Sequence, residues 1–213
     1  MKCADSNYLM RTALNTFFVT ILLFFFEACS HIAPYGTSYS GRIQDEMYFS
    51  PNGTFQVRIP PLLQPGAKIG DRRVSESVFL VEMTDDLCRV FGVNEMTVDP
   101  AKASLDTVVD RFYTFISEQE KATLIERKKI ATAFGEGVYV RSSYPARAPC
   151  YVISFPDGKK IPPAEGAIIF VQTGQRVYSI EYILGGDEDW PFVKTKPVDT
   201  VLMNFFDGFK ILK

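Results

Sequence analysis

The residues able to carry chemistry are few, and what is missing narrows the reactions. The only histidine is His31, close to the N-terminus. A folded domain downstream of it has no imidazole for Ser-His-Asp or Cys-His nucleophilic catalysis and none for a histidine-ligated zinc site. Two cysteines, Cys88 and Cys150, lie in the body of the chain. In an exported protein such a pair invites a disulfide closing a loop of about 60 residues. Two buried free thiols are the equal alternative, and a reactive or metal-binding thiol is a third. An acidic turn, Asp187-Glu188-Asp189, runs directly into Trp190, the sole tryptophan. A tryptophan exposed beside acids would be a partner-binding surface; most tryptophans simply pack. Asp85-Asp86 reads as a solvated hairpin tip. Arg127-Lys128-Lys129 reads as charge placed to blunt the edge of a sheet.

The stretch Gly185-Gly186-Asp187-Glu188 spells a motif seen in cyclic-dinucleotide synthases. Here Trp190-Pro191 follows it and the nucleotide-binding context is missing, so it reads as an acidic turn. Paired carboxylates for glycoside hydrolysis would need a cleft and a set separation that no spacing here supplies. No motif asks for a cofactor, and none is expected. The formal charge of −2 lacks the basic excess that nucleic-acid binding requires. With 46% hydrophobic and 23% charged residues over 213 positions, the composition is that of one folded domain with a sizeable core.

The strongest positional signal lies at the start. Lys2 and Arg11 precede Phe17–Phe26, a ten-residue apolar run broken only by Thr20. That run is too short to span a bilayer and has the length of a signal-peptide core. Glu27, Ala28 and Cys29 follow. Ordinary signal cleavage before Cys29 would need a small residue where Phe26 stands. A large apolar residue, one intervening position, a small residue and cysteine resemble the bacterial lipobox, with phenylalanine in place of the usual leucine. The resemblance implies that Cys29 receives a diacylglycerol thioether and becomes the mature N-terminus, anchored stably because more than one acyl chain is attached. The alternatives are a short uncleaved anchor or a buried N-terminal helix. Met10-Arg11 is a more typical beginning for such a signal than Met1. Ser30 resembles the sorting signal for the outer membrane, which would place the domain in the periplasm. The expected organisation is a signal over 1–28, a flexible tether over 29–46, rich in Ser, Gly and Tyr, and one domain over 47–213.

Within that domain, Phe55, Val57 and Ile59 alternate with polar residues, the mark of a half-buried strand, after the turn Ser50-Pro51-Asn52-Gly53. Strands are expected at 78–83, 88–93, 124–132, 136–143 and 150–155, and a hairpin at 167–172 and 176–184 about Thr173-Gly174-Gln175. Ser104 is placed to cap a helix carrying Leu105, Val108, Val109, Phe112 and Ile116 on one face. A last helix starts at Pro197, carries Val198, Val201, Leu202, Phe205 and Phe206, and ends at Gly208.

This order of elements is similar to the PsbP/Mog-type α/β/α sandwich. The resemblance covers roughly 48–213 and rests on FQVRIP (55–60), SLDTVVDRF (104–112) and NFFDGFK (204–210). It implies an α+β fold in which a central, mostly antiparallel sheet is flanked by helices, with 147–165 as an insertion. It also implies a binding or assembly role without catalysis, since there is no catalytic motif to carry over. The expected partners are the lipid bilayer, through acylated Cys29, and a protein of the envelope. A small-ligand carrier with a pocket between sheet and helices is the alternative. A histidine-independent enzyme would need convergent Asp, Glu, Lys or Tyr side chains in a cleft.

Overall fold

The computed structural model describes residues 39–63, 67–85, 89–101, 103–145, 164–184 and 197–212, all within one compact unit, Thr37–Lys213. Among these residues the order is β1 (Arg42–Gln44), β2 (Met47–Phe49), β3 (Phe55–Arg58), β4 (Lys68–Ser75), β5 (Val78–Thr84), β6 (Arg89–Thr97), α1 (Leu105–Gln119), β7 (Thr123–Thr132), β8 (Gly135–Tyr144), β9 (Ala164–Thr173), β10 (Arg176–Leu184), α2 (Val198–Asp207) and β11 (Phe209–Ile211). A seven-stranded sheet has the order β4-β5-β6-β10-β9-β8-β7 and a four-stranded sheet the order β1-β2-β3-β11. Every described strand pair is antiparallel. The fold is α+β, as expected.

Local sequence explains most elements. Ser104 Oγ accepts from the backbone N–H of Thr107 and so caps α1. Val108, Val109 and Ile116 form its buried stripe. All five residues expected on the apolar face of α2 are buried. Gly174, at φ +58, lets the β9–β10 hairpin turn in a region that side chains resist.

The large sheet is dressed differently on its two faces. Strand alternation sends Val177 and Ile183 of β10 to one face, where α1 packs against Val138, Val140, Ile168 and Phe170. Tyr178, Ile180 and Tyr182 point to the other. There Phe205 of α2 stacks edge-on against Phe91, and Phe55 of the small sheet touches Tyr178, Phe79 and Phe209. On that face the described contacts between the large sheet, α2 and the small sheet include ring against ring.

Four features depart from the sequence reading. Among the described residues, regular structure begins at Arg42, inside the segment expected to be tether. The strand β4 has no apolar alternation and is a strand because it pairs with β5. The closing Phe209–Ile211 pairs with β3, more than 150 residues earlier. Asp85, expected at a solvated tip, is buried: its carboxylate forms an ion pair with Arg89 at 2.7 Å. The expected strand 150–155 and residues 147–163 of the expected insertion 147–165 lie outside the described residues; Ala164 and Glu165, its last two positions, open β9.

Candidate functional site

Several of the described ionisable groups form structural seams. Thr54 Oγ1 donates to Glu95 Oε2 at 2.7 Å, and Arg176 Nε lies 3.0 Å from Glu95 Oε1. This buried seam joins the turn before β3 to β6 and β10. Burial, and then the Glu95 charge, push the Tyr178 phenol up to about 12 against the opposing pull of Arg176. Arg89 donates its Nε and its backbone N–H to the two oxygens of Asp85. Burial pushes the neighbouring Tyr182 phenol up to about 12, with Arg89 acting the other way. The Tyr139 hydroxyl donates to Asp199 in the first turn of α2, and Arg141 binds Glu165 at 2.6 Å; burial first and Asp199 second raise the Tyr139 pKa. Arg127 binds Asp110 and Asp106 at 2.5 and 3.0 Å, tying α1 to β7. The strand carrying Arg127-Lys128-Lys129, β7, is one of the two outer strands of the large sheet, where the sequence expected those charges. These groups hold elements together; they do not converge on a shared cleft. Among the described residues no cluster of His, Cys, Asp and Glu is placed to hold a metal ion, and no helix is long and apolar enough to cross a membrane.

The residues singled out from sequence, Cys29, Cys88, Cys150, Asp187, Glu188, Asp189 and Trp190, lie outside the described residues.

Two features that sequence reasoning missed stand next to each other. The first is a clamp on the incoming chain. Asp71 of β4 accepts from the Ser40 backbone N–H with both oxygens at 2.8 and 2.9 Å, from Ser40 Oγ at 2.7 Å, from the Gly41 N–H at 2.8 Å and from Tyr48 Oη at 2.5 Å. Gly41 is needed for this approach, since a Cβ there would fall 2.5 Å from the Tyr48 ring and from the Phe49 carbonyl. Burial alone would raise the Asp71 pKa. The bonds from Tyr48, Ser40 and Gly41 outweigh it and hold the carboxyl below its usual range. Burial, followed by Asp71, raises the Tyr48 phenol.

The second is the outer face of the small sheet. Alternation turns Tyr48, Phe55, Val57 and Phe209 inward and leaves Arg42, Met47, Phe49, Gln56, Arg58 and Lys210 outward. The four strands contain no Asp or Glu. Arg42, Arg58 and Lys210 have no ion-pair partner among the described residues, and the Arg42 guanidinium lies over the Phe49 ring at 4.6 Å. Asp45 and Glu46 lie in the β1–β2 turn, and Asp207 ends α2 just before β11. A sequence signal existed in hindsight: RIQ, MYF, FQVR and FKI each place a cation, an amide, Met or Phe at alternate positions. Their union on one surface needed the pairing of β11 with β3.

No protein-family model and no curated protein matches this chain. Solved structures are similar in fold at low identity. Cyanobacterial PsbP (CyanoP) from Synechocystis is 14% identical, with a TM-score of 0.49 over 80% of this chain and 98% of that one. A Bacteroides thetaiotaomicron protein is 10% identical, with a TM-score of 0.41 over 80% of this chain; the chain spans half the length of that protein. A STAR-related lipid transfer protein from Xanthomonas axonopodis is 13% identical, with a TM-score of 0.33 over 66% of this chain and 95% of that one.

Proposed function

We propose that this protein is a lipid-anchored binding or assembly factor of the bacterial cell envelope, held by acylated Cys29 on the outer membrane and facing the periplasm, with a protein partner and no catalysis. The clamp at Asp71 carries this reading. A carboxylate on a distant strand takes four donor groups from Ser40, Gly41 and Tyr48. The domain is thereby displayed from a fixed point of its own surface, which suits recognition beside a membrane. The engagement of Glu95, Asp85 and Asp199 in structural seams supports the same reading.

The surface available to a partner lies on the α1 side of the large sheet, away from the small sheet. Phe115 of α1 is 58% exposed there, and beyond the helix the sheet carries the Arg72–Glu82 pair and the Asn94–Ser179 hydrogen bond. The test places a photo-crosslinking residue at Phe115, and separately at Lys210, in the full chain in native membranes. A discrete envelope protein joined at 115, absent at 210 and lost on Arg72→Glu in the 115-labelled chain, is the expected result. The reading fails if position 115 captures no discrete protein.

A further inference from the structure

We infer that the outer face of the four-stranded sheet is a membrane-docking surface for anionic phospholipid headgroups, resting on the reading of Cys29 as a lipid anchor. Three observations meet. The first is charge. Arg42, Arg58 and Lys210 share one face, without an acid in its strands and without ion-pair partners among the described residues, whereas Arg127, Lys129 and Arg141 elsewhere are paired. Solvated cations facing anionic headgroups each add attraction at close range, and the attraction fades within a Debye length.

The second is apolar content. Met47 and Phe49 sit half-buried among those cations. Phe49 lies under the Arg42 guanidinium, an arrangement suited to the headgroup region, where an amphipathic aromatic and a cation are both satisfied.

The third is the tether. Ser40 follows Cys29 by eleven residues, so the chain from the acylated sulfur reaches at most about 40 Å when fully extended. It then arrives beside β1, the edge strand of this same sheet, where Asp71 holds it. The anchor therefore restrains the basic face to the neighbourhood of the bilayer at high effective concentration. Three modest charge contacts then suffice, although they would not recruit a free protein. The opposite side of the large sheet, with α1, is left facing the periplasm.

The experiment uses the full chain in vesicles of phosphatidylcholine with and without phosphatidylglycerol, with brominated acyl chains as quenchers. Phe49→Trp and, as control, Phe115→Trp report contact, with the wild type correcting for Trp190. Intact mass reads acylation of Cys29 in the same samples. Emission from position 49 is expected to be quenched only with phosphatidylglycerol present, while position 115 stays unquenched. Replacing Arg42, Arg58 and Lys210 by Gln in the Phe49→Trp chain should weaken docking by roughly fivefold for each cation removed, with circular dichroism confirming that the fold persists. Equal quenching at 49 and 115, quenching that ignores phosphatidylglycerol, or protection of position 49 only when envelope proteins are added would overturn the inference. An unmodified Cys29 would defeat the anchoring reading alone. In that case the chain is tethered to the vesicles through an N-terminal polyhistidine tag on a nickel-chelating lipid, which restores the effective concentration; quenching at position 49 that depends on phosphatidylglycerol would then uphold the face, and its absence would overturn it.

Discussion

The two faces of the seven-stranded sheet are built on different principles. Under α2 and the small sheet, rings interlock: Phe91 with Tyr182 and Phe205, and Phe55 with Tyr48, Phe79, Tyr178 and Phe209. Under α1 the contacts are mostly aliphatic, through Val108, Val109, Val138, Val140, Ile168 and Ile116, with Phe112 on Phe170 as an aromatic contact. Beyond the helix that face becomes polar. Aromatic interlock leaves little room for adjustment, since each ring is fixed by several others. An aliphatic row under a single helix can settle when one side chain is trimmed. The ring-filled face carries β1, which directly follows the clamped Ser40 and Gly41, and the α1 face carries the exposed Phe115.

Phe55→Ala should expose this difference most strongly. The side chain is fully buried among four rings, so urea unfolding should show a loss of about 3–5 kcal/mol. A loss comparable to that from trimming α1 would break the contrast. Ile116→Ala, on the α1 side, should cost about 2 kcal/mol, the low end for such a truncation, because α1 can move toward the sheet.

The smallest effect belongs to the clamp, and it depends on pH. The folded-state pKa of Asp71 is lowered, so its contribution is present above the unfolded carboxylate value of about 3.9 and is lost as pH falls through the lower folded value. The stability gap between wild type and Asp71→Asn should be full at neutral pH and close on acidification. A gap that persists unchanged in acid would show that the Asp71 charge is irrelevant. Hydrogen exchange at Ser40 and Gly41 should rise in the variant at neutral pH while amides under α1 stay unchanged.

Much of the fold was legible because it is written in local periods. Phe55, Val57 and Ile59 mark β3 by alternation, Val108, Val109 and Ile116 mark α1 by helical spacing, and Ser104 announces its start. The strand β4 was not legible, because an outer strand exposes most of its side chains and needs no apolar pattern; its hydrogen bonds to β5 define it. Asp85 was misread for a related reason. Two adjacent aspartates look solvated, but Arg89, four residues on, follows the first of them into the interior. The candidate site was the least legible part, since Arg42, Arg58 and Lys210 come from three strands spread across the chain.

By itself, the sequence determined the helices with their caps, the main strands, the lack of imidazole downstream of His31, and the lipobox-like setting of Cys29. These depend on neighbours within a few positions, where periodicity, capping and turn chemistry act. Only the tertiary structure decided that β11 closes the small sheet on β3, that Asp71 grips Ser40, and that three distant cations share one face. Those outcomes rest on long-range strand pairing, which brings residues together at about 5 Å regardless of their separation in the chain, and no local pattern records which strands will meet.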